Sequence, residues 1–90
     1  MIKATNPKFQ DIVAHDAKFR YQMLSRLQMD CRYWLGNGNR HDKHLWAGNV
    51  KDHIDLMLDL HRSFSEDDKP EWLSYEQIIE FAGQMGYEVK

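Results

Sequence analysis

Ala17-Lys18-Phe19-Arg20-Tyr21-Gln22-Met23-Leu24-Ser25-Arg26-Leu27-Gln28-Met29-Asp30-Cys31-Arg32-Tyr33-Trp34-Leu35-Gly36 decides the fold class. At about 100° per residue, Ala17, Tyr21, Leu24, Leu27, Cys31, Trp34 and Leu35 fall on one stripe of a helix. The reverse face holds Lys18, Gln22, Ser25, Arg26, Met29, Arg32 and Tyr33. Gly36 is expected to end the helix as a left-handed residue just past it.

Upstream, Asn6-Pro7 reads as a helix start, with Phe9 and Val13 four residues apart. Asp16 offers a second start. The residues leave two alternatives open: one helix from Pro7 to Leu35, or a short segment over 7–14 joined to a longer helix over 16–35. The apolar line through Phe9, Val13 and Ala17 stays in register across the join.

Downstream lies a long Gly/Asn-rich joint, from Gly36 to Asn49. Its first half is turn chemistry. Its second half carries Arg40, His41, Lys43 and His44, then Leu45-Trp46, two large apolar side chains in a polar stretch. A loop this long needs an anchor, and Trp46 is the expected one. Asn49 should cap a helix over about 50–64, with Asp52 at its N3 position. That helix buries Val50, Ile54, Met57, Leu58, His61 and Phe64. Asp52, Asp55, Asp59 and Arg62 are expected on its solvated face, Asp59 pairing with Arg62. Ser74 and Gln77 form a capping box for a last helix over 75–84, which should bury Tyr75, Ile78, Ile79, Ala82 and Met85. Gly86 should stop it and leave a short tail. The expected architecture is all-α, with three main helices in a single small domain over residues 1–90.

Ninety residues suit one domain with a thin core, and the 42% apolar content excludes a disordered chain. The single cysteine excludes an internal disulfide. No secretory leader is visible, and no apolar run reaches the ~18 residues of a membrane span. A cytoplasmic protein without membrane contact is the expectation. Charge is divided unevenly: eight Lys/Arg against four Asp/Glu in residues 1–44, and four against ten in residues 45–90. The halves are expected to neutralise each other inside the fold. Nucleic-acid binding through Lys18, Arg26, Arg32, Arg40 and Lys43 is the alternative.

Other residues invite chemistry. His41 and His44, with Cys31 and His53, offer zinc-ligand types, but their spacing fits no familiar zinc module. Cys31 lies inside the apolar stripe and reads as a core side chain. Arg20, also at that stripe, should clamp the joint or the acid-rich second half. No enclosed set of acid, base and nucleophile is visible, so no enzyme, cofactor or metal is expected. Arg26, Met29, Arg32 and Tyr33 have the composition of a partner surface, as do Arg40, His41, Lys43, His44 and Trp46 of the joint. The helix face could instead pack on the N-terminal segment.

The run Phe19-Arg20-Tyr21, Leu24-Ser25-Arg26-Leu27, Asp30-Cys31, Tyr33 to Arg40 and Lys43 to Gly48 resembles the large polyvalent protein-associated domain, family eleven. The likeness continues through Ile54, Met57, Leu60 and Lys69-Pro70-Glu71-Trp72-Leu73, and covers Phe19 to about Gln84. Residues 1–18 form an extension outside it, and 85–90 a tail. Two positions depart from the family pattern: Arg32 stands where an acid is expected, and His61 where an aromatic is. The resemblance implies an accessory domain of a bacterial mobile genetic element, such as a phage or conjugative element. It carries no catalytic residues over. A protein-binding role follows as the expectation; nucleic-acid binding or inhibition of a host defence nuclease are the alternatives.

Overall fold

A computed structural model describes residues 4–36 and 40–89. Among them no strand occurs, and the chain is all-α. After a 3₁₀ turn at Pro7–Phe9 come helices α1 (Gln10–Val13), α2 (Ala17–Gly36), α3 (Val50–Arg62) and α4 (Tyr75–Gln84), with a second 3₁₀ turn at Asp42–His44.

The N-terminal alternatives resolve in favour of two helices. Asp16 breaks the run: its Oδ1 accepts from the Phe19 N–H at 2.8 Å, the geometry of an N-cap. Arg20 supports the break, donating from Nε to the His15 carbonyl at 2.9 Å. Its other nitrogen, Nη1, reaches the Ser63 carbonyl (3.1 Å) and hydroxyl (2.6 Å), and the guanidinium lies 4.6 Å from the Phe64 ring centre. Arg20 therefore clamps the C-terminal end of α3 through carbonyls, without an acid. Arg20→Ala should cost about 2 kcal/mol in urea unfolding, because charge-assisted bonds and ring packing are lost together. Exposed Arg26→Ala should stay within about 0.5 kcal/mol.

Helices α2 and α3 run antiparallel. Arg20 near the start of α2 meets Ser63 at the end of α3, while the Leu27 carbonyl meets His53 in the first turns of α3 at 2.9 Å. Leu24, Leu27, Cys31 and Trp34 of the predicted stripe are buried, Tyr21 and Leu35 partly so; Ala17 is exposed, and Gln28 joins the buried set.

Helix α3 is the centre of the fold. Every residue from His53 to His61 is buried, so the solvated face expected at Asp55 and Asp59 does not exist, while Arg62 is exposed and Asp52 half-buried. Asp55 and Asp59 are 8% and 1% exposed. The N-terminal strap, residues 4–13, and the C-terminal tail lie over them, through Thr5 on Asp59 and Tyr87 on Asp55. Asn49 caps α3 as expected, its Oδ1 accepting from the Asp52 N–H at 2.8 Å. The capping box of Ser74 and Gln77 is complete. Gly86 takes φ +82, and the Tyr87 N–H returns to the Ala82 carbonyl at 2.8 Å, a Schellman closure. Within α4, Ile78 and Ala82 are buried, but Tyr75 points outward at 47% exposure.

Four further expectations change. Helix α3 ends at Arg62, two residues early, and Ser63 caps it. Gly36 is the last helical residue rather than a left-handed one beyond the helix; Asn37, Gly38 and Asn39 of the joint lie outside the described residues. The joint's anchor is Leu45 at 4% exposure, with Ala47 at 7%, whereas Trp46 is 39% exposed. No ion pair among the described residues joins the basic half to the acidic half. Among the described residues, every ion pair joins near neighbours in sequence: His15–Asp16, Arg26–Asp30, Lys51–Asp55, Asp59–Arg62 and Glu66–Lys69.

Candidate partner surface

The outer face of α2 stays open. Met29 is 61% exposed and Tyr33 47%, so this face does not pack on the N-terminal segment. That segment turns elsewhere: its buried Phe9 sits beside the Trp46 ring, centres 5.9 Å apart.

The helix face and the joint, two separate stretches of sequence, meet along one edge of α2. Asp30 is the link. Its Oδ2 accepts from the Trp46 N–H at 3.0 Å, while its Oδ1 receives Arg26 Nε at 3.4 Å. One turn further on, Tyr33 meets the His44 ring edge-on at 5.0 Å, and His44 in turn lies 6.4 Å from His41. Arg40 adopts a left-handed φ of 59° and places its guanidinium 5.5 Å from the Trp34 ring centre. The Trp34 indole N–H donates to Asp42 Oδ1 at 3.2 Å, tying the 3₁₀ turn to the end of α2. Arg26, Met29, Tyr33, His41, His44 and Trp46 thus belong to one surface, with Arg40 and Lys43 exposed on the joint beside it.

Arg32 departs from this group. It lines a cleft of about 180 Å³ between α2 and α4, with Gln28, Gln77, Glu80, Phe81 and Gln84.

The zinc-ligand residue types are not brought together. Cys31 is fully buried, its thiol donating to Met57 Sδ at 3.6 Å. Burial, aided by the charge of Asp30, pushes that thiol up to about 12. The thiolate fraction at neutral pH falls about a thousandfold below that of an ordinary thiol, so iodoacetamide should label Cys31 only after denaturation. His53 is also buried against the Leu27 carbonyl. Among the described residues no three His, Cys, Asp or Glu side chains gather closely enough to hold a metal ion. No described helix is long and apolar enough to cross a membrane.

A second polar constellation escaped the sequence reading. On the outer side of α3, Asp59 accepts from the Thr5 N–H at 2.7 Å, the Thr5 hydroxyl at 2.8 Å and the Arg62 guanidinium. One turn earlier Asp55 accepts from Lys51 at 3.0 Å and the Tyr87 hydroxyl at 3.0 Å. Its carboxylate raises the Lys51 ammonium; Tyr87 is raised by burial first and by Asp55 second. Thr5, Lys51, Asp55, Arg62 and Tyr87 line a cleft of about 500 Å³ together with Leu58. The acids' lone pairs are taken by the strap and the tail, which gives the constellation a structural task.

The family model of large polyvalent protein-associated domain 11 matches residues 17–85. Comparison with curated proteins and with solved structures gives no match.

Proposed function

We propose, from the premise that the chain belongs to the large polyvalent protein-associated domain 11 family, that it is a non-enzymatic protein-binding domain of a bacterial mobile genetic element, acting in the cytoplasm. Its docking surface is the α2 face and joint edge that carry Arg26, Met29, Tyr33, His44 and Trp46. One observation carries this reading: three large side chains, Met29, Tyr33 and Trp46, stay 39–61% exposed on a surface whose parts are stitched together by Asp30 and His44. Aromatic residues, methionine and arginine are the types enriched at the centres of protein interfaces. The cations Arg40 and Lys43 at the rim have no ion-pair partner among the described residues. A protein with an apolar anchor and an acidic rim is the fitting partner.

Tyr33→Ala and Trp46→Ala should each weaken a purified partner by about thirtyfold or more, the size of an interface hot spot of about 2 kcal/mol. Glu80→Ala on α4 should leave affinity unchanged. The partner is to be obtained by cross-linking from a photoreactive residue placed at position 33, then titrated in purified form. Undiminished affinity of the Tyr33→Ala, Trp46→Ala double variant would remove this surface from the proposal.

The cations Lys18, Arg32, Arg40 and Lys43, which form no ion pair among the described residues, favour a second reading, in which the partner is nucleic acid. Phosphate contacts make affinity fall steeply with salt. Oligonucleotide binding whose logarithm drops with log salt at a slope of about −4, weakened by Arg40→Ala and Lys43→Ala, would replace the protein-binding reading.

A further inference from the structure

Residues 4–13 precede the span matched by the family model, yet they supply part of the core. Ala4, Phe9 and Val13 are 5%, 3% and 5% exposed. Three positions spaced four apart make the attachment. Thr5 gives its N–H and hydroxyl to Asp59, Phe9 seats beside Trp46, and Val13 enters the apolar cluster. The segment also holds its own shape. Ala4 N–H bonds Gln10 Oε1, Phe9 N–H bonds the Asn6 carbonyl, and Ala14 N–H bonds the Gln10 carbonyl. It is therefore a self-contained piece, docked in a groove that runs from Asp59 to Trp46.

The join to α2 is short and exposed. Ala14, His15 and Asp16 all face solvent. Ala14 is already near-helical, at φ −89° and ψ −3°. No proline or glycine lies between Gln10 and Leu35. Rotation at His15 and Asp16 alone would fuse α1 to α2 as one helix and carry the segment away from its groove. The Asp16 cap on Phe19 exists only while the helix is broken, so that cap holds the segment in place.

We propose that residues 4–13 are an exchangeable segment, and that the Asp59–Trp46 groove accepts the same segment from a second copy of this chain. Seating in cis and in trans makes identical contacts. The closed monomer is favoured by the effective concentration of a segment tethered through a three-residue hinge, of millimolar order for short flexible linkers. Reciprocal exchange gives a closed two-fold dimer. This is independent of the docking surface above, except that Trp46 borders both.

The test uses full-length chains and a labelled peptide of residues 4–16. Phe9→Ala weakens the resident segment and leaves the groove intact; Asp59→Asn does the reverse. The peptide should bind the Phe9→Ala chain at least about tenfold more tightly than wild type, in which the tethered segment competes. A mixture of Phe9→Ala and Asp59→Asn chains should sediment with a heterodimer that neither forms alone. Equal peptide binding by both chains would overturn the proposal, as would a mixture that stays monomeric. Loss of the helical circular dichroism signal in Phe9→Ala would also overturn it, because the segment would then be integral to folding.

Discussion

Asp59→Ala should lower the free energy of unfolding by about 3 kcal/mol, far more than any exposed acid in the chain. The carboxylate is 1% exposed and accepts the Thr5 N–H, the Thr5 hydroxyl and the Arg62 guanidinium. A hydrogen bond to a charged group contributes about 1.5–3 kcal/mol, and several on one carboxylate add incompletely. The Arg62 share is small, since that side chain is 54% exposed and screened by water. The Thr5 bonds decide the result: without their acceptor the strap loses its polar anchor, and the seating of Phe9 weakens with it. Asp59→Asn keeps one acceptor oxygen and should cost about half as much. Asp67→Ala, on the exposed connection, should stay within about 0.5 kcal/mol. Urea unfolding at neutral pH measures all three. An Asp59→Ala midpoint equal to that of Asp67→Ala would mean the strap adds nothing to the fold.

The importance of Asp59 was hidden by the way a helical pattern is read. Local periodicity places Asp52, Asp55 and Asp59 on one arc of α3 and invites the inference of a wet face. That step assumes a helix at the surface. The covering groups, Thr5 and Tyr87, lie 54 and 32 residues away from the acids they bind, beyond any local window. A signal was nonetheless present. The apolar arc from Leu56 through Leu60, His53, Met57 and Ile54 to Leu58 spans roughly 200°, wider than a surface helix needs. An arc that wide marks a central helix, whose remaining acids must find partners.

The candidate surface was legible in composition and illegible in assembly. Helical spacing alone puts Arg26, Met29 and Tyr33 opposite the core stripe, and their exposure follows. Their union with Trp46 depends on Asp30, an edge residue whose carboxylate happens to face the joint. Spacing also grouped Arg32 with Tyr33. Their positions differ by about 100°, enough to send Arg32 to the α4 side. The anchor of the joint was misassigned for a related reason. Size favoured Trp46, but Phe9 from another segment covers only part of that ring, while the smaller Leu45 fits wholly inside.

Acidification should destabilise the chain before its carboxylates titrate, because two histidines are kept neutral in the fold. His53 is fully buried and His61 is 4% exposed, and the Nδ1 atom of each has no hydrogen-bond partner among the described residues. Burial lowers the pKa of His53, opposed by its bond to the Leu27 carbonyl and by Asp30. Burial lowers that of His61 too, reinforced by Lys69 and opposed by the Leu73 backbone, Glu66 and Glu76. The unfolded chain, with histidines near pH 6.5, therefore binds these protons first. Stability is full above about pH 6.5 and declines as pH falls below it, until the folded-state values are passed. The melting temperature should drop by several degrees between about pH 7.5 and pH 5.5, a window above ordinary carboxylate titration. His61→Phe places the aromatic that the family pattern favours and removes one titrating site, so it should flatten the slope. His53→Gln retains a donor for the Leu27 carbonyl and should flatten it further. A wild-type melting temperature unchanged over that window would show that both imidazoles protonate as readily inside the fold as outside it. A slope that survives in the double variant would remove His53 and His61 as its source.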